Sequence, residues 1–127
     1  NQWKLKNKQN IQDYNKVYFL DRYRNDPIYK LKMIQRNRIR VGLKKIKKSS
    51  KTCDLLGCSF EFLKNYIEQK FVDGMNWNNM GKWHIDHIVP LAAFDLSIEM
   101  NQKIAFHYTN LQPLWAEDNL KKGAKYA

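Results

Sequence analysis

No run of about 18 apolar residues occurs anywhere in the chain, so the sequence predicts no membrane-spanning helix. Its polar first residues lack the short apolar core that marks a secretory signal. Cysteine is scarce. Cys53 and Cys58 form a single C-x4-C, too few ligands for a four-cysteine zinc site, and both are expected to be buried thiols in a reducing compartment. Acid is missing where base is dense, with no Asp or Glu between Pro27 and Thr52. Internal repeats are absent, and the lysine bias is the only compositional skew. These absences predict a soluble, intracellular protein with one compact unit rather than two independent domains.

What is present is positive charge, and it is unevenly spread. The formal net charge is +11. Residues 1–60 hold 16 Lys/Arg against 4 Asp/Glu, whereas residues 61–127 hold 7 against 8. Such a balance predicts a polyanionic partner. With no acid nearby for self-pairing, Arg36, Arg38, Arg40, Lys44, Lys45, Lys47 and Lys48 are expected to contact DNA phosphates.

Helical signals dominate the first half. Tyr14 to Arg24 reads as helical, although residues 1–24 show no clean period. Asp26-Pro27 is an N-cap followed by proline at the first helical position. From there Ile28, Leu31, Ile39, Leu43 and Ile46 make one apolar stripe, predicting a long basic helix that Gly42 weakens. Ser59 caps a further helix to about Phe71, with Phe60, Leu63, Ile67 and Phe71 on its inner face. Trp83–Val89 reads as a strand that stops at Pro90, and a second extended piece is expected near 91–94. A short helix over 97–106, an extended stretch over 111–114 and a last helix from Ala116 to about Lys122 complete the reading. The organisation expected is a basic, mainly helical region at 1–75 and a smaller α+β unit at 76–127.

The chemistry-bearing residues cluster in the last third, in Trp83-His84-Ile85-Asp86-His87-Ile88-Val89-Pro90-Leu91 and in Asn110-Leu111-Gln112-Pro113-Leu114, followed by Asn119. Here the chain resembles the HNH endonucleases, also called His-Me finger or ββα-metal nucleases, in particular their phage and intron types. The resemblance is strong over about residues 81–126. It implies a hairpin packed on a helix around one divalent metal, with Asp86 and Asn119 as metal ligands, His87 as general base and Asn110 ordering the hairpin loop. It further implies hydrolysis of DNA phosphodiesters, by nicking or by double-strand cleavage; monomer and homodimer both stay open, since no interface is legible in the sequence.

The residue chemistry agrees with those roles. Neighbouring strand residues face opposite ways, so Asp86 and His87 are placed to serve the two sides of one phosphate. Two oxygen ligands suit Mg²⁺ or Mn²⁺, with Zn²⁺ or Ni²⁺ as alternatives if His84 adds a nitrogen. His84, Lys121 and Lys122 are otherwise expected to support the site or hold flanking phosphates, and His107 to be structural. An imidazole of ordinary pKa predicts activity rising between about pH 5.5 and 8. An inactive DNA-binding module and a basic RNA-binding protein are the competing readings; neither accounts for the acid, the base and both asparagines together. The lysine and asparagine richness suits an AT-rich phage or viral genome.

Overall fold

Asp26 divides the first two helices. Its carboxylate accepts hydrogen bonds from the backbone amides of Ile28 and Tyr29, and Pro27 opens the next helix where no donor is needed. The computed structural model describes residues 2–123, as α1 (Gln2–Asn25), α2 (Pro27–Leu43), α3 (Thr52–Leu56), α4 (Phe60–Gln69), β1 (Trp83–His87), α5 (Glu99–Ala105), β2 (Leu111–Trp115) and α6 (Ala116–Lys122). The fold is α+β. No described helix is long and apolar enough to cross a membrane.

Helix α1 runs further toward the N-terminus than the expected Tyr14–Arg24. Among its described side chains Ile11, Tyr14, Val17 and Phe19 are all exposed. At its C-terminal end it meets α2 through Arg22 stacked 4.4 Å from the Tyr29 ring and Lys30 5.2 Å from the Tyr23 ring.

In α2 the predicted stripe is real but shorter. Leu31, Ile39 and Leu43 are buried, and Gln35, on the same face, is buried with them. The helix ends at Leu43. Lys44 follows with φ 56°, so Lys44, Lys45, Ile46, Lys47 and Lys48 lie beyond the helix rather than on it as expected. The buried Gln102 of α5 holds this exposed stretch, accepting from the Ser49 amide and donating to the Lys47 and Leu96 carbonyls. Gly42 has a packing reason: a Cβ there would meet Leu91 Cδ1 at 2.7 Å, so the missing side chain lets the 91–93 segment lie against α2.

Ser59 caps α4 by accepting from the Phe62 amide, and Phe60, Leu63 and Ile67 are buried. Phe71 lies just past the helix and packs with Trp77 and Trp83. Trp83, with no exposed surface, donates through Nε1 to the Asn76 carbonyl and the Asn79 side chain, satisfying its only polar group. One core joins Leu31, Leu56, Leu63 and Ile67 from the helices to Trp83, Ile85 and Leu111 from the strands. The segments read as 1–75 and 76–127 therefore share their apolar interior.

Strands β1 and β2 pair antiparallel, with Asp86 opposite Gln112 and His87 opposite Leu111. Residues 91–93 form a 3-10 turn, not the expected second extended piece, because Pro90 ends the pairing and the chain must turn beneath α2. The cysteine reading is corrected in part: Cys53 is exposed, while burial and the neighbouring Cys53 push the half-buried Cys58 thiol up to about 11.

Candidate active site

Hairpin and helix bring Asp86, His87, Asn119 and Lys122 to one cavity of about 380 Å³, whose far wall is α2 at Asn37, Arg38 and Val41. Asn119 and Lys122 are three residues apart in α6 and so share a face of that helix. Lys121 falls on another face and is exposed.

Asp86 is 8% exposed and accepts at Oδ2 from two donors. The Lys122 ammonium lies at 2.8 Å and Gln112 Nε2, its cross-strand partner, at 3.0 Å. The same ammonium donates to the His87 carbonyl at 2.6 Å. Lys122, expected to support the site or to hold a flanking phosphate, is thus a counter-ion of the carboxylate. Gln112 carries no signal beyond its place in Asn-Leu-Gln-Pro-Leu, since only strand register sets it against Asp86.

His87 sits edge-on to Phe106, ring centroids 6.0 Å apart. Its Nε2 is buried with no hydrogen-bond partner among the described residues. Burial lowers its pKa from the ordinary 6.5 to about 4, helped by the Arg38 and Lys122 charges and opposed by Asp86. The ring is therefore neutral from about pH 5 upward.

Arg38 is the residue whose place differs most from its sequence reading. Exposed Arg36 and Arg40 line a groove with Lys44 and Lys48 on one side of α2. Arg38 points the other way, into the Asp86 cavity, half-buried. Burial lowers its pKa, and Asp86 acts to raise it.

Asn110 does not line the cavity. Its Oδ1 accepts from the Val89 amide at 2.8 Å, and its Nδ2 donates to the Val89 and Ala105 carbonyls at 3.0 and 2.9 Å. It ties the chain leaving β1 to the end of α5. Asn110→Ala should cost about 2 kcal/mol of stability in urea unfolding. Asn110→Asp should lose as much, because a carboxylate has no donor for two carbonyls; a tolerated Asp would refute the assignment. His84 does not line this cavity either, and His107 bonds Thr109 Oγ1 through Nδ1.

Asp86 and Asn119 are the oxygen donors that could hold a cation here. The Asp86 carboxylate already draws a positive group to 2.8 Å, and the Asn119 amide borders the same space. Among the described residues no three His, Cys, Asp or Glu side chains cluster as a metal cage.

No family model matches the chain, and no solved structure matches it. It is similar to two viral proteins of Acanthamoeba polyphaga mimivirus: "Uncharacterized protein L246", 36% identical over 115 residues, and "Uncharacterized protein L426", 34% identical over 119 residues. The matches cover 90% and 93% of this chain but 50% of each relative, so the chain spans about half the length of the curated relatives it matches.

Proposed function

We propose that this chain is a metal-dependent nuclease that hydrolyses DNA phosphodiester bonds, with β1, β2 and α6 forming an HNH-type ββα-metal finger. The observation that carries the reading is the meeting of Asp86, His87, Asn119 and Lys122 in one cavity beside Arg38. Acid, neutral imidazole, amide and cations together suit an anionic ester better than a neutral substrate.

Asp86 and Asn119 would hold a divalent cation, Mg²⁺ or Mn²⁺, which when bound supplies Lewis-acid stabilisation of the departing oxygen. His84 lies outside this cavity, so it adds no nitrogen in favour of Zn²⁺ or Ni²⁺. His87 takes the proton from the attacking water. Its accepting atom is Nδ1, since Nε2 is sealed from solvent. Arg38 offsets charge on the phosphate from the wall facing Asp86. The Arg36, Arg40, Lys44 and Lys48 groove, with Lys45 and Lys47 exposed nearby, would hold the duplex by its backbone, with affinity falling log-linearly as salt rises.

The test is nicking of supercoiled plasmid with Mg²⁺ or Mn²⁺. EDTA and His87→Ala should each abolish it, while Asn119→Ala should be partly rescued by more cation. Equal nicking by the parent and His87→Ala would remove His87 as the base. Preference for structured RNA over plasmid would favour an RNA substrate.

A further inference from the structure

Arg38 and Asn37 line two cavities, not one. The second, about 340 Å³, lies on the other side of them. Its remaining walls include Tyr23 at the end of α1, Lys30 in α2, Met80 before β1, and His84 in β1. No acid lines it. Lys30 and Arg38 offer cations, and the Tyr23 ring and Met80 thioether offer apolar surface, a combination that matches a phosphate attached to a flat, partly apolar group.

Its position is set by the strand. His84 and Asp86 are two residues apart on the same face of β1, roughly 7 Å along it. One DNA strand advances by about 3.4 Å per nucleotide. A DNA strand laid along β1 with its reacting phosphate at Asp86 would bring a nucleotide one or two positions away to His84.

We infer that this second cavity is a subsite for a nucleotide flanking the cleaved bond, with Lys30 on its phosphate and Tyr23 and Met80 against its sugar or base. The inference rests on the nuclease reading. It separates two sets of basic residues that composition merges: the Arg36–Lys48 groove grips the duplex at a distance, whereas Lys30 and Arg38 position the strand being cut.

The experiment uses oligonucleotide duplexes carrying one uncharged methylphosphonate, moved through the positions around the mapped cut, with the unaltered protein, Lys30→Ala and Lys30→Gln. Lys103→Ala, on the exposed side of α5, controls for loss of one positive charge. The unaltered protein and Lys103→Ala should lose about tenfold in kcat/KM at one flanking position, mainly through KM, as expected for one charge-assisted contact. Both Lys30 variants should start about tenfold lower and lose nothing more there. Losses that add to those of Lys30→Ala and Lys30→Gln at every position would overturn the subsite and leave the nuclease reading standing. No cleavage at all by the unaltered protein would overturn both.

Discussion

Lys122→Met should destabilise the metal-free protein by about 3 kcal/mol, because it strips a buried carboxylate of its hydrogen-bonded ion-pair partner. Asp86 is 8% exposed and keeps only Gln112 as a donor once the ammonium is gone, and the His87 carbonyl loses a partner in the same change. The double variant Asp86→Asn/Lys122→Met should recover most of the loss, since it removes the stranded charge along with its partner. Urea unfolding in EDTA measures both. A loss below about 1 kcal/mol for Lys122→Met would mean that the pair contributes no more than a surface salt bridge.

The same substitution bears on metal binding. In the proposed site the ammonium and the cation compete for Asp86 Oδ2. Mn²⁺ should therefore raise the melting temperature of Lys122→Met more than that of the parent, as expected when a ligand binds only the folded state. An equal shift in both proteins would show that Lys122 does not compete. The readout is stability, so it holds whether or not the variant cuts DNA.

The second large effect concerns His87 and acid. The pKa of its ring falls from 6.5 to about 4 on folding, mainly by burial. Between those values the unfolded chain binds a proton that the folded chain does not. The stability that comes with a neutral His87 is thus present above about pH 6.5 and is lost progressively as pH falls toward 4, amounting to about 2 kcal/mol between pH 7 and 4.5. Paired unfolding curves of the parent and His87→Gln in EDTA test it. Other groups titrate in both proteins and cancel, so the stability difference between the two should shrink by that amount on acidification. A constant difference would show that His87 titrates normally in the folded chain. If the proposed nuclease reading holds, the neutral ring predicts an activity plateau already reached by about pH 6, and His87→Gln should lower it by roughly 10²- to 10⁴-fold, the usual worth of a general base.

Much of this protein is legible locally. The Asp26-Pro27 and Ser59 helix starts, the β1 and β2 segments and the final helix each depend on a few adjacent residues, through a cap, a proline or an alternation. Asp86-His87 and the motif around Asn110 are likewise short patterns, and the fold brings Asp86, His87 and Asn119 to one cavity. Errors fall where the deciding partner is distant. The apolar stripe suggested that Ile46 continued α2, but the chain leaves the helix after Leu43 and is held by Gln102. Residues 91–93 resemble an extended piece until Gly42 gives Leu91 a place to pack.

Sequence alone determined the amphipathic helices, the hairpin strands and the kinds of chemistry available, because these follow from intrinsic conformational preference and side-chain type. Tertiary structure decided which charges meet. Arg38 is one base among many in the chain, and only the packing of α2 against the hairpin turns it toward Asp86. Lys122 stands 36 residues from Asp86, and only the return of β2 and α6 makes it the buried counter-ion. Coulomb interactions and burial depend on distance in space, so the pKa of His87 and the charge pairing of Asp86 exist only in the folded chain.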